Sequence, residues 1–231
     1  MEITGKTALV TGANRGFGRH LAAQLRDRGA TVYAAARNPA AVDLPGVTPI
    51  ALDVTDPASV AAAAATSDVS ILVNNAGSAT GASLFTGDLL DIRLELDTHF
   101  FGTLAVTRAF ASQLTGHDES AVLNVLSVLS WVSLPNIGAY CAAKAAEWSL
   151  TNALRAELAR QGTRVTSLHV GYMDTDLARH VTDPKSDPAD IARIALDGIA
   201  AGEAEIAADE ISKQVLAGLS AGVRGLYPQV A

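Results

Sequence analysis

Tyr140 and Lys144 stand four residues apart, and Ser127 precedes the tyrosine by thirteen. On a helix that four-residue spacing puts both side chains on one face, with the ammonium near the phenol oxygen. A tyrosine ionises near pH 10, and a fixed positive charge favours the phenolate. Bringing the phenol to neutrality requires ~4 kcal/mol of preference for the ionised form. Beside a hydroxyl that can orient a carbonyl, such a phenol can pass a proton at neutral pH. Ser130 is a second serine nearby and a competing candidate for that hydroxyl. The chemistry is proton exchange with an oxygen, and elements elsewhere in the chain must position it.

The first of those elements is a strand, Thr7–Thr11, that runs into Thr11-Gly-Ala-Asn-Arg-Gly-Phe-Gly18 and then a helical pattern. Gly12 permits the sharp turn from strand to helix, and Gly16 lets phosphates approach the backbone at a helix N-terminus. Gly18 allows close helix–strand packing. The spacing is neither G-x-G-x-x-G nor a P-loop.

Further strands are expected at Thr31–Ala35, Val47–Ala51, Ser70–Asn74, Ala121–Leu126, Arg164–His169 and Glu205–Ala208. Helices are expected at Phe17–Arg28, Pro57–Thr66, Leu89–Leu114, Tyr140–Gln161 and Pro188–Ala200. Asp56-Pro57 and Asp187-Pro188 read as helix starts, and Gly29 and Gly162 as helix ends. Alternation of β-branched runs with helices predicts an α/β fold with a parallel sheet. The segment after Leu216, with three glycines and Pro228, carries no readable element.

With 231 residues, 49% hydrophobic and 18% charged, the composition is that of a globular chain able to bury a full core. A net charge of −7 argues against nucleic acid as a partner. No stretch reads as a signal peptide or membrane span, and a single cysteine excludes an internal disulfide, so a cytoplasmic location and no membrane partner are expected. Cys141 reads as a small packing residue, and no Cys/His cluster suggests a metal.

Thr11–Gly18, Asn74-Asn-Ala-Gly77, Ser127 and Tyr140-x-x-x-Lys144, in that order, make the chain resemble the short-chain dehydrogenase/reductase family over essentially its full length. The resemblance implies a Rossmann-type, doubly wound parallel sheet of about seven strands in one domain spanning residues 1–231. It also implies a nicotinamide cofactor and hydride transfer between that cofactor and a carbonyl or alcohol. Tyr140 would then be the general acid or base, Ser127 would hydrogen-bond the substrate oxygen, and Lys144 would lower the phenol pKa and hold the nicotinamide ribose. Implied cofactor contacts on the glycine turn are Gly12, Asn14, Arg15, Gly16, Phe17 and Gly18. Others are Asp53 and Val54 at the adenine, Asn75, Ala76 and Gly77 beside a ribose, and Gly171, Met173 and Thr175 near the carboxamide.

The second strand ends Ala34-Ala-Ala36-Arg37 without the acid that would bind an adenosine 2′-hydroxyl. Arg37 and Arg15 instead suit a 2′-phosphate, which favours NADP(H) over NAD(H). His99 occupies the place of the family's asparagine in Asn-x-x-Gly, where it either keeps a backbone relay, adds a titrating group or serves structure. His169 reads as structural. An apolar substrate pocket is expected from Leu129, Trp131, Leu134, Tyr172, Met173 and Leu177, with little lid between Asp176 and Asp187.

The function implied is an NADP(H)-dependent carbonyl reductase or alcohol dehydrogenase, acting on a small molecule as a homodimer or homotetramer. Alternatives on the same scaffold are an epimerase or dehydratase and a non-catalytic NADP(H)-sensing protein.

Overall fold

The computed structural model describes residues 1–227, so Pro228 of the tail lies outside the described residues. Seven strands form one parallel sheet in the order β3-β2-β1-β4-β5-β6-β7. They are β1 (Thr7–Thr11), β2 (Thr31–Ala36), β3 (Thr48–Ala51), β4 (Ile71–Asn74), β5 (Ser120–Val125), β6 (Thr163–His169) and β7 (Glu205–Ala207). Each lies within one residue of its expected bounds. The strand order reverses between β1 and β4, the switch point where doubly wound sheets open a crevice at their carboxyl ends.

Both faces of the sheet are covered. Ala8 and Val10 of β1 turn to one side, against Leu21 and Leu25 of α1 (Gly16–Asp27) and Leu196 and Ile199 of α6 (Pro188–Ala201). Leu9 turns to the other side, where Phe110 and Leu114 of α4 (Thr103–Thr115) and Leu150 and Leu154 of α5 (Gly138–Ala159) pack. This two-residue alternation within an unbroken apolar run is what a strand buried on both faces requires.

Helix starts follow their local chemistry. Asp56 accepts from Ala58 N at the start of α2 (Pro57–Ala65), and Asp187 accepts from Ala189 N at the start of α6, each followed by proline. Gly29 and Gly162, just beyond the ends of α1 and α5, adopt positive φ.

The single helix expected over Leu89–Leu114 is corrected. It is α3 (Leu89–Leu96), a π-helical turn at Asp97–Gly102, and α4. Hydrophobic spacing does not distinguish one wide turn from an α-turn, because the polypeptide stays helical throughout. The wide turn buries Thr98 and His99, and Gly102 lies so close to Val54 that a Cβ would reach Val54 Cγ2 at 2.9 Å.

Two helices not expected from the sequence follow β7: α7 (Glu210–Gly218), which Asp209 caps by accepting from Ser212 N, and, within the unreadable segment after Leu216, α8 (Gly222–Leu226). Among the described residues, no helix is long and apolar enough to cross a membrane.

Candidate active site

The carboxyl ends of β1 and β4 are tied together before any catalytic group is placed. Thr11 Oγ1 accepts from Asn75 N and Ala76 N, each at 2.9 Å, and Asn75 Nδ2 donates to Thr11 O at 2.9 Å. The Asn75 side chain therefore braces the glycine turn, while the backbone of Asn75 and Ala76 lines the crevice. Gly12 has φ +66, and a Cβ there would lie 3.0 Å from Ala76 Cα. A Cβ on Gly18 would meet Gly12 O at 2.4 Å, so α1 approaches the turn only because that side chain is absent. Phe17 sends its ring into the core, which leaves it a backbone contribution only. No side chain caps α1, so the N–H groups of its first turn can receive an anion.

Three further segments close around this turn. Thr175 sits beside Gly16, with its Cβ 3.7 Å from where a glycine Cβ would stand. Gly171 N donates to Asp209 Oδ2 at 2.7 Å, so the start of α7 pins the loop after β6. Met173 pairs with Ser186 across the same loop. Arg15 and Arg37 are exposed, as the adenosine end of a cofactor groove requires, and Asn14 is half-buried beside them in sequence. Arg15 lies 3.9 Å from Asp176. Asp53 accepts from Thr55 N and Oγ1; despite partial burial, these bonds and the nearby Arg37 charge hold its carboxyl below the usual range.

Ser127 follows β5 and is buried. Its Oγ accepts from Leu129 N at 3.1 Å, and Ser130 Oγ accepts from Ser127 N at 3.3 Å. The second serine thus shapes the backbone of the first. His169, at the end of β6, lies with Nδ1 3.2 Å from Ser127 O and its ring stacked 3.7 Å from Trp131. Burial draws its pKa down to about 4, which keeps the imidazole neutral near pH 7. Trp148 Nε1 donates to Glu205 Oε1, which also lies 3.2 Å from His169 Nε2.

α5 carries Tyr140, half-buried, and Lys144, buried. The ammonium lies 5.8 Å from the phenol ring centre and donates to Val125 O and Glu147 Oε2, both at 2.8 Å. Glu147 Oε1 accepts from Thr103 Oγ1 at 2.8 Å. His99 meets the Tyr140 ring edge-on, with centres 5.2 Å apart. Its Nε2 is 3.3 Å from Glu95 Oε2, and Gly77 leaves room for the ring, since a Cβ there would lie 2.9 Å from His99 Cε1. Glu95 also accepts from Ser78 Oγ and Thr80 N. Although burial opposes its charge, bonds from His99, Thr80 and Ser78 bring its pKa down to about 2.

Sequence reasoning missed Glu147, Glu95 and Thr103. Glu147 stands three residues after Lys144 and Glu95 four before His99, so helical spacing places each on its neighbour's face, but nothing in that spacing signals burial. Lys144 and the Ser127 bond act to lower the Tyr140 pKa, as expected, but within the protein's own groups burial pushes it up, and Glu147 and Glu95 add to this. The ammonium's positive charge is shared with a carboxylate.

The expected substrate pocket divides. Leu134 and Leu177 are exposed and Tyr172 is half-buried, as lining residues would be. Leu129 and Trp131 are buried with Val128 and Cys141, Trp131 stacked on the His169 ring. Cys141 accepts from Leu134 N, and burial pushes its thiol pKa up, which suits packing. Leu134 also borders a shallow depression of about 280 Å³ shared with Val215 and Tyr227, and Tyr227 Oη accepts from Ser133 N at 2.6 Å. Among the described residues, no cluster of His, Cys, Asp or Glu is arranged to hold a metal.

The sequence matches the family described as short chain dehydrogenase over residues 6–186. A short chain dehydrogenase from Burkholderia cenocepacia J2315, solved in complex with NADP, is 35% identical and superposes with a TM-score of 0.95 over 100% of this chain and 99% of that one. D-erythrulose reductase from Gallus gallus is 32% identical over 85% of this chain and 83% of its own length. The NADPH-dependent 1-acyldihydroxyacetone phosphate reductase of Schizosaccharomyces pombe is 33% identical over 74% of this chain, and the match spans 61% of that relative. Sequence match, shared topology and full-length superposition agree: the chain belongs to the short-chain dehydrogenase/reductase family.

Proposed function

We propose that the chain is an NADP(H)-dependent oxidoreductase that interconverts a small carbonyl compound and its alcohol. The observation that carries this reading is the placement of Ser127, Tyr140 and a buried Lys144 at the same sheet edge as an uncapped helix N-terminus. The glycine turn fits a pyrophosphate, because Gly12 and Gly16 hold positive φ and the first-turn N–H groups are free to donate. Arg15 and Arg37 suit a 2′-phosphate, and the NADP-bound structural relative and the NADPH-dependent sequence relative agree with that choice.

When bound, the reduced nicotinamide supplies the hydride. Ser127 orients the substrate carbonyl by donating to its oxygen. Tyr140, held as a neutral acid, gives its proton to that oxygen as negative charge develops there. Lys144 keeps one N–H available beyond Val125 O and Glu147, and that hydrogen can hold a ribose hydroxyl. Trp131 and Leu129 stiffen the wall behind Ser127, while Tyr172, Leu134 and Leu177 border the substrate.

The test is oxidation of NADPH against a panel of ketones and aldehydes. Tyr140→Phe should lower turnover of an accepted substrate by about 10²–10⁴-fold. Equal turnover in that variant would refute the assigned acid. Oxidation by no member of the panel would favour a cofactor-sensing protein.

A further inference from the structure

Lys144 does not face Tyr140 alone. Its ammonium is 2.8 Å from Glu147 Oε2, in a pocket where Lys144 is 5% and Glu147 2% exposed. Thr103 fixes the other carboxylate oxygen from α4, so the Glu147 side chain has no freedom to leave. A second buried carboxylate, Glu95 on α3, stands on the far side of His99, whose Nδ1 lies 3.8 Å from Glu147 Oε2. Buried charges that approach this closely act strongly on one another, because little water screens them.

The groups around the phenol and ammonium come from several elements. α5 contributes Tyr140, Lys144 and Glu147, α3 contributes Glu95, and the π-helical turn contributes His99. Ser127 follows β5, and His169 of β6 lies within reach of the Lys144 charge. Two carboxylates therefore oppose one ammonium beside a phenol. The His99 ring separates the carboxylates with a partner available in either neutral form: Nε2 lies 3.0 Å from Ser78 O, to which it can donate, and 3.3 Å from Ser78 N, from which it can accept.

We propose that Glu147 is the positioning residue of this site: it binds the Lys144 ammonium as a fixed counter-charge and so holds Tyr140 as the acid form needed to protonate a carbonyl oxygen. Glu95 reinforces it from behind His99. The proposal rests on the reductase reading given above, and it sets the site apart from one in which the lysine charge acts on the phenol undivided. Replacing Glu147 by a neutral isostere frees that charge, so the phenolate forms at lower pH.

The experiment is an ultraviolet absorbance titration of phenolate in the full-length protein, with the Tyr140→Phe spectrum subtracted to isolate Tyr140. Glu147→Gln should move the Tyr140 transition down by about one pH unit or more. Glu147→Asp, which keeps the charge, should restore at least half of the wild-type position. Glu95→Gln, an independent check if Glu147→Gln does not fold, should move it down by less. A transition that stays put or rises in both neutral variants overturns the proposal, as does an Asp variant that behaves like Gln. For any carbonyl accepted in the panel, the alkaline limb of kcat/KM for reduction should shift down with the titration in Glu147→Gln; a limb that stays in place while the phenol moves also overturns it. The titration needs no substrate. A panel without turnover therefore refutes the reductase reading alone, and an unmoved phenol refutes the role of Glu147 alone.

Discussion

In the NADP(H)-dependent reading proposed above, cofactor selection would turn on two exposed arginines, Arg15 and Arg37. Arg15 lies 3.9 Å from Asp176, and both groups are more than half exposed, so this contact costs little to give up for a phosphate. Arg37 has Asp53 nearby, but that carboxylate is already engaged by Thr55. Arg37→Asp should raise KM for NADPH by at least about tenfold relative to NADH, the size expected for losing a charge-assisted bond. Initial rates with both cofactors check this, and an unchanged ratio would remove Arg37 from the assignment. Ser127, Tyr140 and Lys144 were legible in the sequence because their chemistry is written in residue type and close spacing. Glu147 was equally close to Lys144 but less visible, since an acid three residues from a lysine is usually a solvated surface pair. Its burial depends on α4 folding over it, which no local pattern encodes.

At the scale of elements, strands were read to within one residue because a two-sided buried strand is a short, self-contained apolar run. The π-helical turn was not read, because its register depends on tertiary contacts such as that of Gly102 with Val54. Nor was the stacking of Trp131, which needs β6 to present His169. That same histidine links element packing to acidity. It is fully buried and its pKa falls from 6.5 to about 4, so the unfolded chain binds its proton first. The stabilisation is whole above pH 6.5, declines as pH drops, and is lost below about 4, a change of about 3 kcal/mol. Urea unfolding between pH 7 and pH 4 should therefore show a falling midpoint, and His169→Gln should flatten the fall over that window. Glu95, whose pKa drops from 4.5 to about 2, gives stabilisation that is whole above pH 4.5 and is lost only as pH falls from there toward 2. An identical decline in His169→Gln would assign the effect elsewhere.

Among the described residues, several exposed large apolar side chains lie on or beside α3: Phe85, Leu89 and Leu90 are 97%, 67% and 71% exposed, and Leu94 and, on the π-helical turn, Phe101 are exposed as well. A run of this kind on one helix is more than scattered surface leucines need. We expect it to be covered by a second copy of the chain, in a homodimer or homotetramer as the family resemblance implies. Sedimentation equilibrium should give an assembly larger than the 23.8 kDa chain, and Leu90→Glu should shift it toward monomer. A wild-type monomer across the micromolar range would sink this expectation. The doubly wound architecture was legible from alternation alone, whereas α7 and α8 were not, because their short glycine-broken helices gain their order by packing beside Ser133 and Gly171.

The π-helical turn also works as a phase device. Glu95 and the exposed Leu90 and Leu94 stand on the same short helix, so any rotation of α3 about its axis relative to α4 would carry all of them together. Such a rotation would draw Glu95 away from His99 and turn the exposed leucines with it. Catalytic electrostatics and the outer apolar surface are thus geared to the same shaft. The chain cannot re-aim one without re-aiming the other.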